Sequence, residues 1–486
     1  MSLLLLPSKA PSLVHSISGG DLSSYAEELA EFRRNRSIDL RRSMNLCKTR
    51  VCKPKSRFYV APKKSNTLID ACLTFTVESV VSALTSGVDA SIVSICQDLC
   101  ESAPKCPKIV QNMITISDVQ EAFVAALDSE TSAVGTVLNT IAQIFKLAGE
   151  TQEAFVDGGL TCSLMNLLSQ EDPATISEAI NLIGVLSEES SYARDSIICL
   201  GIHTILVETA GNHKQTDLAT LACESVHKIF SNPDPIESEI VKEAIPSIIE
   251  IIEGQSDETM SFILQILVDI SSKHPSSVFI YYNLGLYDQI VGFIQNQALT
   301  KEALKLAGNM AVAQPLQIIC LLDNGLLAAL EQLSVSDYLA DVFWVYSNLL
   351  ESYPEGIFEL IDEKFINFAL DAAEDSPYEV KQEASFFIAT MVVFSGNPRA
   401  SLFFNERVFS VLADVIGCGV NTVALRCLDA FNTFLGYANL NEKQDELLGL
   451  VDDAEVEDRL HEIELSNSLA GKRSQYLLLA YQSLRN

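Results

Sequence analysis

Residues 339–352, LADVFWVYSNLLES, carry the chain's only tryptophan, Trp344, and place Asn348 four residues after it. Residues four apart share one face of a helix, one turn apart. An exposed indole there would sandwich the aliphatic stem of a Lys or Arg, and a carboxamide one turn away would bond the main chain of an extended peptide. A lone tryptophan on a helix is more often a core residue. This one gains weight because its position recurs. Asn139, Asn181, Glu224, Gln265, Lys305, Trp344 and Phe386 stand in register, at intervals of 42, 43, 41, 40, 39 and 42 residues.

A second marker keeps the same beat. Gly159, Gly201, Gly285 and Gly325 each follow one apolar run and precede another, with Ala244, Lys364 and Arg407 at the remaining positions. Glycine just past a helix end supplies a left-handed cap. Two markers sharing one period of about 40 residues predict an array of three-helix, armadillo-type units, none able to bury its own apolar face.

Composition agrees with an all-α chain. It is 48% apolar without alternating β-type runs, and its apolar stretches fall short of the roughly 20 residues that cross a bilayer, so membrane insertion is not expected. The start, MSLLLLP, has neither a basic flank nor a small-residue cleavage pattern, which argues against a secretory signal. The 12 cysteines form no C-x-x-C pair and read as buried free thiols of a reducing compartment. The six histidines are scattered, and no P-loop, G-x-S-x-G or Cys/His nucleophile arrangement is present. Neither an enzyme nor a metal or cofactor site is expected.

Charge divides the chain. Residues 1–64 carry 13 Lys+Arg against 5 Asp+Glu, whereas residues 65–486 carry 20 against 59. A solvated basic leader or a nucleic-acid arm would account for the head alone, but the body has the wrong sign for direct nucleic-acid binding. A basic strand tethered to an acidic solenoid instead meets it at high effective concentration.

These stretches together resemble importin-α, the adaptor that joins proteins bearing nuclear localisation signals to importin-β. Residues 27–57 resemble its importin-β-binding segment: Arg33, Arg34 and Arg36 stand at the family's arginine run, and Arg41 and Arg42 lie in DLRRSMNL (39–46), similar to its E-L-R-K helix. Lys48, Arg50, Lys53 and Lys55 stand near the internal signal-like stretch that fills the family's own groove. ALKLAGN (303–309) and DVFWVYSN (341–348) are similar to the sixth and seventh repeats, and NTVALRCLDAF (421–431) resembles the V-T-V-A-L-E-G-L of the ninth. The resemblance implies a right-handed superhelical solenoid of about ten armadillo repeats over residues 67–486, with the last repeat at about 440–486 and a flexible basic segment, 1–66, that serves as importin-β-binding and autoinhibitory region. It further implies importin-β and proteins with basic signals as partners, an export receptor at the last repeat, and shuttling between cytoplasm and nucleus.

The family binds signals in two grooves lined by Trp/Asn pairs. In the major groove this sequence offers Asn139, Gln143 and Asn181 with the acids Glu178 and Glu189, while Val185 and Lys228 replace carboxamides and no indole remains. The minor groove keeps Lys305, Asn309, Asp341, Trp344, Asn348 and Glu383, with Phe386 and Thr390 in place of tryptophan and asparagine. The expectation is that basic peptides bind mainly across Lys305–Thr390. The alternatives are a degenerate importin-α paralogue that binds few signals, or an armadillo scaffold.

Overall fold

The computed structural model describes residues 75–147, 151–464 and 468–486. The importin-β-binding arginines Arg33, Arg34, Arg36, Arg41 and Arg42, and the autoinhibitory residues Lys48, Arg50, Lys53 and Lys55, lie outside the described residues. Among those described, every regular element is helical.

Ten helices form a continuous ladder, each packed on the next: α1 (Asp89–Ser102), α2 (Val134–Leu147), α3 (Pro173–Glu189), α4 (Asp217–Ser231), α5 (Asp257–Lys273), α6 (Thr300–Met310), α7 (Leu339–Ser352), α8 (Tyr378–Phe394), α9 (Asn421–Leu440) and α10 (Leu469–Arg485). Shorter helices lie between successive ladder members and pack on them. A ladder helix therefore has neighbours on three sides, and its burial runs nearly around the cylinder: Val342–Ser352 of α7 and Glu383–Val392 of α8 are buried without a break. This explains why these segments read as apolar on almost every face rather than as one stripe. The buried side chains form one core along the whole array, as expected for units that cover one another.

The glycine beat has its predicted cause. Gly159, Gly201, Gly285 and Gly325 have φ of +94°, +71°, +77° and +87°, at the junction between two short helices. Where the beat carries another residue, the junction is built differently. Asp362 accepts the Phe365 amide at 2.9 Å, and Asn405 accepts that of Val408 at 3.1 Å, so a side-chain cap starts the next helix. At Ala244 there is no junction, because a single helix, Ser238–Glu250, runs through it.

Cysteine placement is mixed. Cys96, Cys223 and Cys427 are buried free thiols, while Cys162 and Cys199 are exposed. No described helix is long and apolar enough to cross a membrane, and among the described residues no His/Cys/Asp/Glu group could hold a metal ion.

Candidate functional site

The register that begins with Trp344 lies along the ladder. Phe343 and Phe387, next to Trp344 and Phe386 in sequence, pack in the core with tilted rings whose centroids are 5.9 Å apart, and Phe368 stacks on Phe343 at 5.8 Å. Anchoring these neighbours turns Trp344 and Phe386 away from that aromatic cluster.

Trp344 does not stand open. Its side chain is 9% exposed, and its six-membered ring lies so close to Gly308 of α6 that a Cβ there would overlap it. Asn348 grips the same residue, donating to the Gly308 carbonyl at 2.9 Å. Asn309 donates to Ser271 Oγ at 2.9 Å and Ser272 Oγ at 3.1 Å at the end of α5. Both carboxamides are buried. Thr390 is fully buried, and its hydroxyl donates to the Phe386 carbonyl one turn back, at 2.8 Å. Glu383 and Phe386 are buried, whereas Lys305 and Asp341 are half-buried. The pattern extends beyond the expected residues: Ser225 donates to the Ile180 carbonyl (2.9 Å), Asn232 to that of Ser187 (2.8 Å) and Lys273 to that of Asn232 (2.8 Å). Polar side chains thus tie α4 to α3, α5 to α4, α6 to α5 and α7 to α6, and the Ser187, Asn232 and Gly308 carbonyls among their acceptors lie at helix ends.

The amino-terminal residues behave differently. Asn139, Asn181 and Glu178 are half-buried, and Gln143 and Glu189 are exposed. Asn139, Gln143 and Glu178 converge on one cleft of about 630 Å³ between α1, α2 and α3, joined there by Cys100, Asp172 and Thr175. Gln143 donates to Asn139 Oδ1 at 2.6 Å. That bond uses one N–H and one lone pair, so the pair still offers a donor from Asn139 and an acceptor from Gln143, as an extended main chain requires. Asp172 caps α3. The Thr175 hydroxyl at 2.6 Å and amide at 3.0 Å, with the Ala174 amide at 3.4 Å, hold its carboxyl below the usual carboxylate range. At the cleft's inner side, burial pushes the Cys96 thiol up to about 11, so it stays neutral.

Two expected liabilities of this half are softened. Lys228 pairs with Glu224 one turn back at 2.7 Å, and its stem lies over Gly184 of α3. Val185 is 2% exposed and belongs to the core.

No protein-family model matches the sequence, and no curated protein matches it. Among solved structures, an engineered protein determined as a structural-genomics target superposes with a TM-score of 0.66 at 19% identity, over 84% of this chain and 98% of that chain. Two designed armadillo repeat proteins, one of them in complex with the peptide (KR)4, give TM-scores of 0.43 at 17% identity over 48% and 47% of this chain and 99% of theirs. The fold is an armadillo-type solenoid.

The residues that sequence reasoning missed are Asp172, Gly308, Glu351 and Arg426. Asp172 was legible as an Asp-Pro helix start. Arg426 was legible as a charge reversal, since it stands where the ninth-repeat pattern has glutamate.

Proposed function

We propose that this chain is a peptide-binding adaptor that holds basic, extended segments of other proteins against its ladder helices. More narrowly, we read it as a nuclear import adaptor that takes basic localisation signals and is linked through residues 27–57 to importin-β, moving between cytoplasm and nucleus. The observation that carries the reading is the α1–α3 cleft. Asn139 and Gln143 supply a donor–acceptor pair for a peptide main chain, and Glu178 and Asp172 supply negative charge for Lys or Arg. The acid excess of residues 65–486 adds a field that draws basic segments in.

The accessible groups favour the amino-terminal half as the place of binding, the reverse of the order expected from residue types. Trp344 and Asn348 are committed to Gly308, and Asn309 to the end of α5. A narrower version follows from the same burial: an adaptor that keeps the basic head yet takes fewer signals than a chain with two open grooves. Titration of a labelled lysine-rich peptide tests the reading. Saturable binding that weakens with salt supports it, and an absence of binding rejects it.

A further inference from the structure

Arg426 falls 40 residues after Phe386, on the next beat of the register that contains Trp344. It is a basic side chain in a row where a peptide's basic side chains would be received. Its guanidinium carbon lies 5.3 Å from the centroid of the Phe386 ring and 5.6 Å from that of Phe394, both on α8. One Nη2 of the same group meets Glu351 Oε1 of α7 at 2.7 Å, and the two side chains are only 9% and 2% exposed. Three successive ladder helices therefore close around one planar cation.

The surroundings are those of a cation receptor. Glu351 sits in the last turn of α7, where the carbonyl end of the helix disfavours a carboxylate unless a cation is near. A buried carboxylate also needs a partner to offset its desolvation. Aromatic faces at this distance attract a guanidinium, and the fork of its N–H groups suits a carboxylate better than an ammonium does.

We propose that Glu351, Phe386 and Phe394 form a guanidinium-binding site and that Arg426 is its resident ligand, an internal stand-in for an arginine of a bound peptide. Phe386 is the ring that an incoming basic side chain would use in this half of the ladder, and Arg426 already covers it. The α7–α9 end is thus closed to basic peptides by the chain itself, which leaves the α1–α3 cleft to receive them. The closure rests on the peptide-binding reading above, whereas the guanidinium site does not.

The test is chemical rescue of full-length Arg426→Ala. Its thermal midpoint should fall, and millimolar methylguanidinium should raise it by several degrees, whereas methylammonium should do so far less and wild type should not respond. If the variant does not fold alone, recovery of helical, soluble protein on refolding with methylguanidinium but not methylammonium supports the site equally. The double variant Glu351→Gln/Arg426→Ala removes both charges and should lose the rescue. No selective rescue, or equal rescue of the double variant, overturns the guanidinium site. For the closure, hydrogen exchange with an alternating Lys-Arg peptide should show protection confined to α1–α3 in wild type, with α7–α9 added in Arg426→Ala. An unchanged footprint, or protection of α7–α9 already in wild type, overturns it. A wild type that binds no basic peptide anywhere rejects the peptide-binding reading and the closure with it, while the rescue still decides the guanidinium site.

Discussion

The six-membered ring of Trp344 fills the space that a side chain at Gly308 would need, the indole of one repeat packed on bare backbone of the repeat before it. Only the missing side chain allows that approach, so the two residues are coupled. Gly308→Ala gains up to about 1 kcal/mol of helix propensity but forces a methyl into the ring, and overpacking of that kind costs roughly 1–3 kcal/mol. The clash wins, and the thermal midpoint should drop. In a Trp344→Ala background the same substitution should be neutral or stabilising. Additive effects in this cycle would show that the two residues do not meet as described.

The polar residues of the ladder should register in stability before they register in binding. Asn348→Ala strands the Gly308 carbonyl in a buried setting, for a loss of about 1–3 kcal/mol. Thr390→Val removes a hydroxyl whose hydrogen bond is to its own helix, so it should cost under about 1 kcal/mol and leave peptide affinity unchanged. Thermal denaturation of both variants beside a peptide titration checks the pair. A Thr390→Val protein that folds normally but binds peptide poorly would contradict this placement.

The armadillo array was legible because it is written twice, once in the 39–43-residue register and once in the glycines. Residue type also marked Asn139, Gln143 and Glu178 as neighbours across two helices, and they meet in one cleft. What the sequence did not carry was depth. Trp344 and Asn348 have the side chains of a peptide clamp, but whether an indole stands open depends on the residue beneath it. That residue, Gly308, is on another helix and marked by what it lacks. Likewise Arg426 and Glu351 are 75 residues apart, and no local pattern joins them.

His203 gives the fold an acid-sensitive point. Burial holds its imidazole below the ordinary value of 6.5, and Nδ1 is buried with no hydrogen-bond partner. In the folded chain the ring stays neutral at pH values where the unfolded chain has already taken up a proton. The stability involved is whole above about pH 6.5 and is lost as pH falls from there through the lower folded value. His203→Gln should flatten that part of the pH–stability curve. Identical curves for the two proteins between about pH 7 and 5 would show that the histidine is not buried neutral.

The basic head carries the proposed link to importin-β. Replacing Arg33, Arg34, Arg41 and Arg42 together by Ala should abolish importin-β binding, and the wild-type complex should weaken steeply with added salt, because exposed charges are screened over roughly 10 Å at moderate ionic strength. Pull-down at two salt concentrations checks both. Binding that survives the substitutions removes the import-adaptor reading without touching the groove.

The most direct test is titration of a labelled lysine-rich peptide against the full chain and against residues 65–486, each with and without Gln143→Ala and Glu178→Gln. Both forms should bind, and the shorter one more tightly, because Lys48, Arg50, Lys53 and Lys55 no longer compete for the acidic face. The paired substitutions should weaken binding about tenfold or more, the scale of one lost charge-assisted contact. No saturable binding, or an affinity indifferent to Gln143 and Glu178, would contradict the claim that the α1–α3 cleft holds basic peptides.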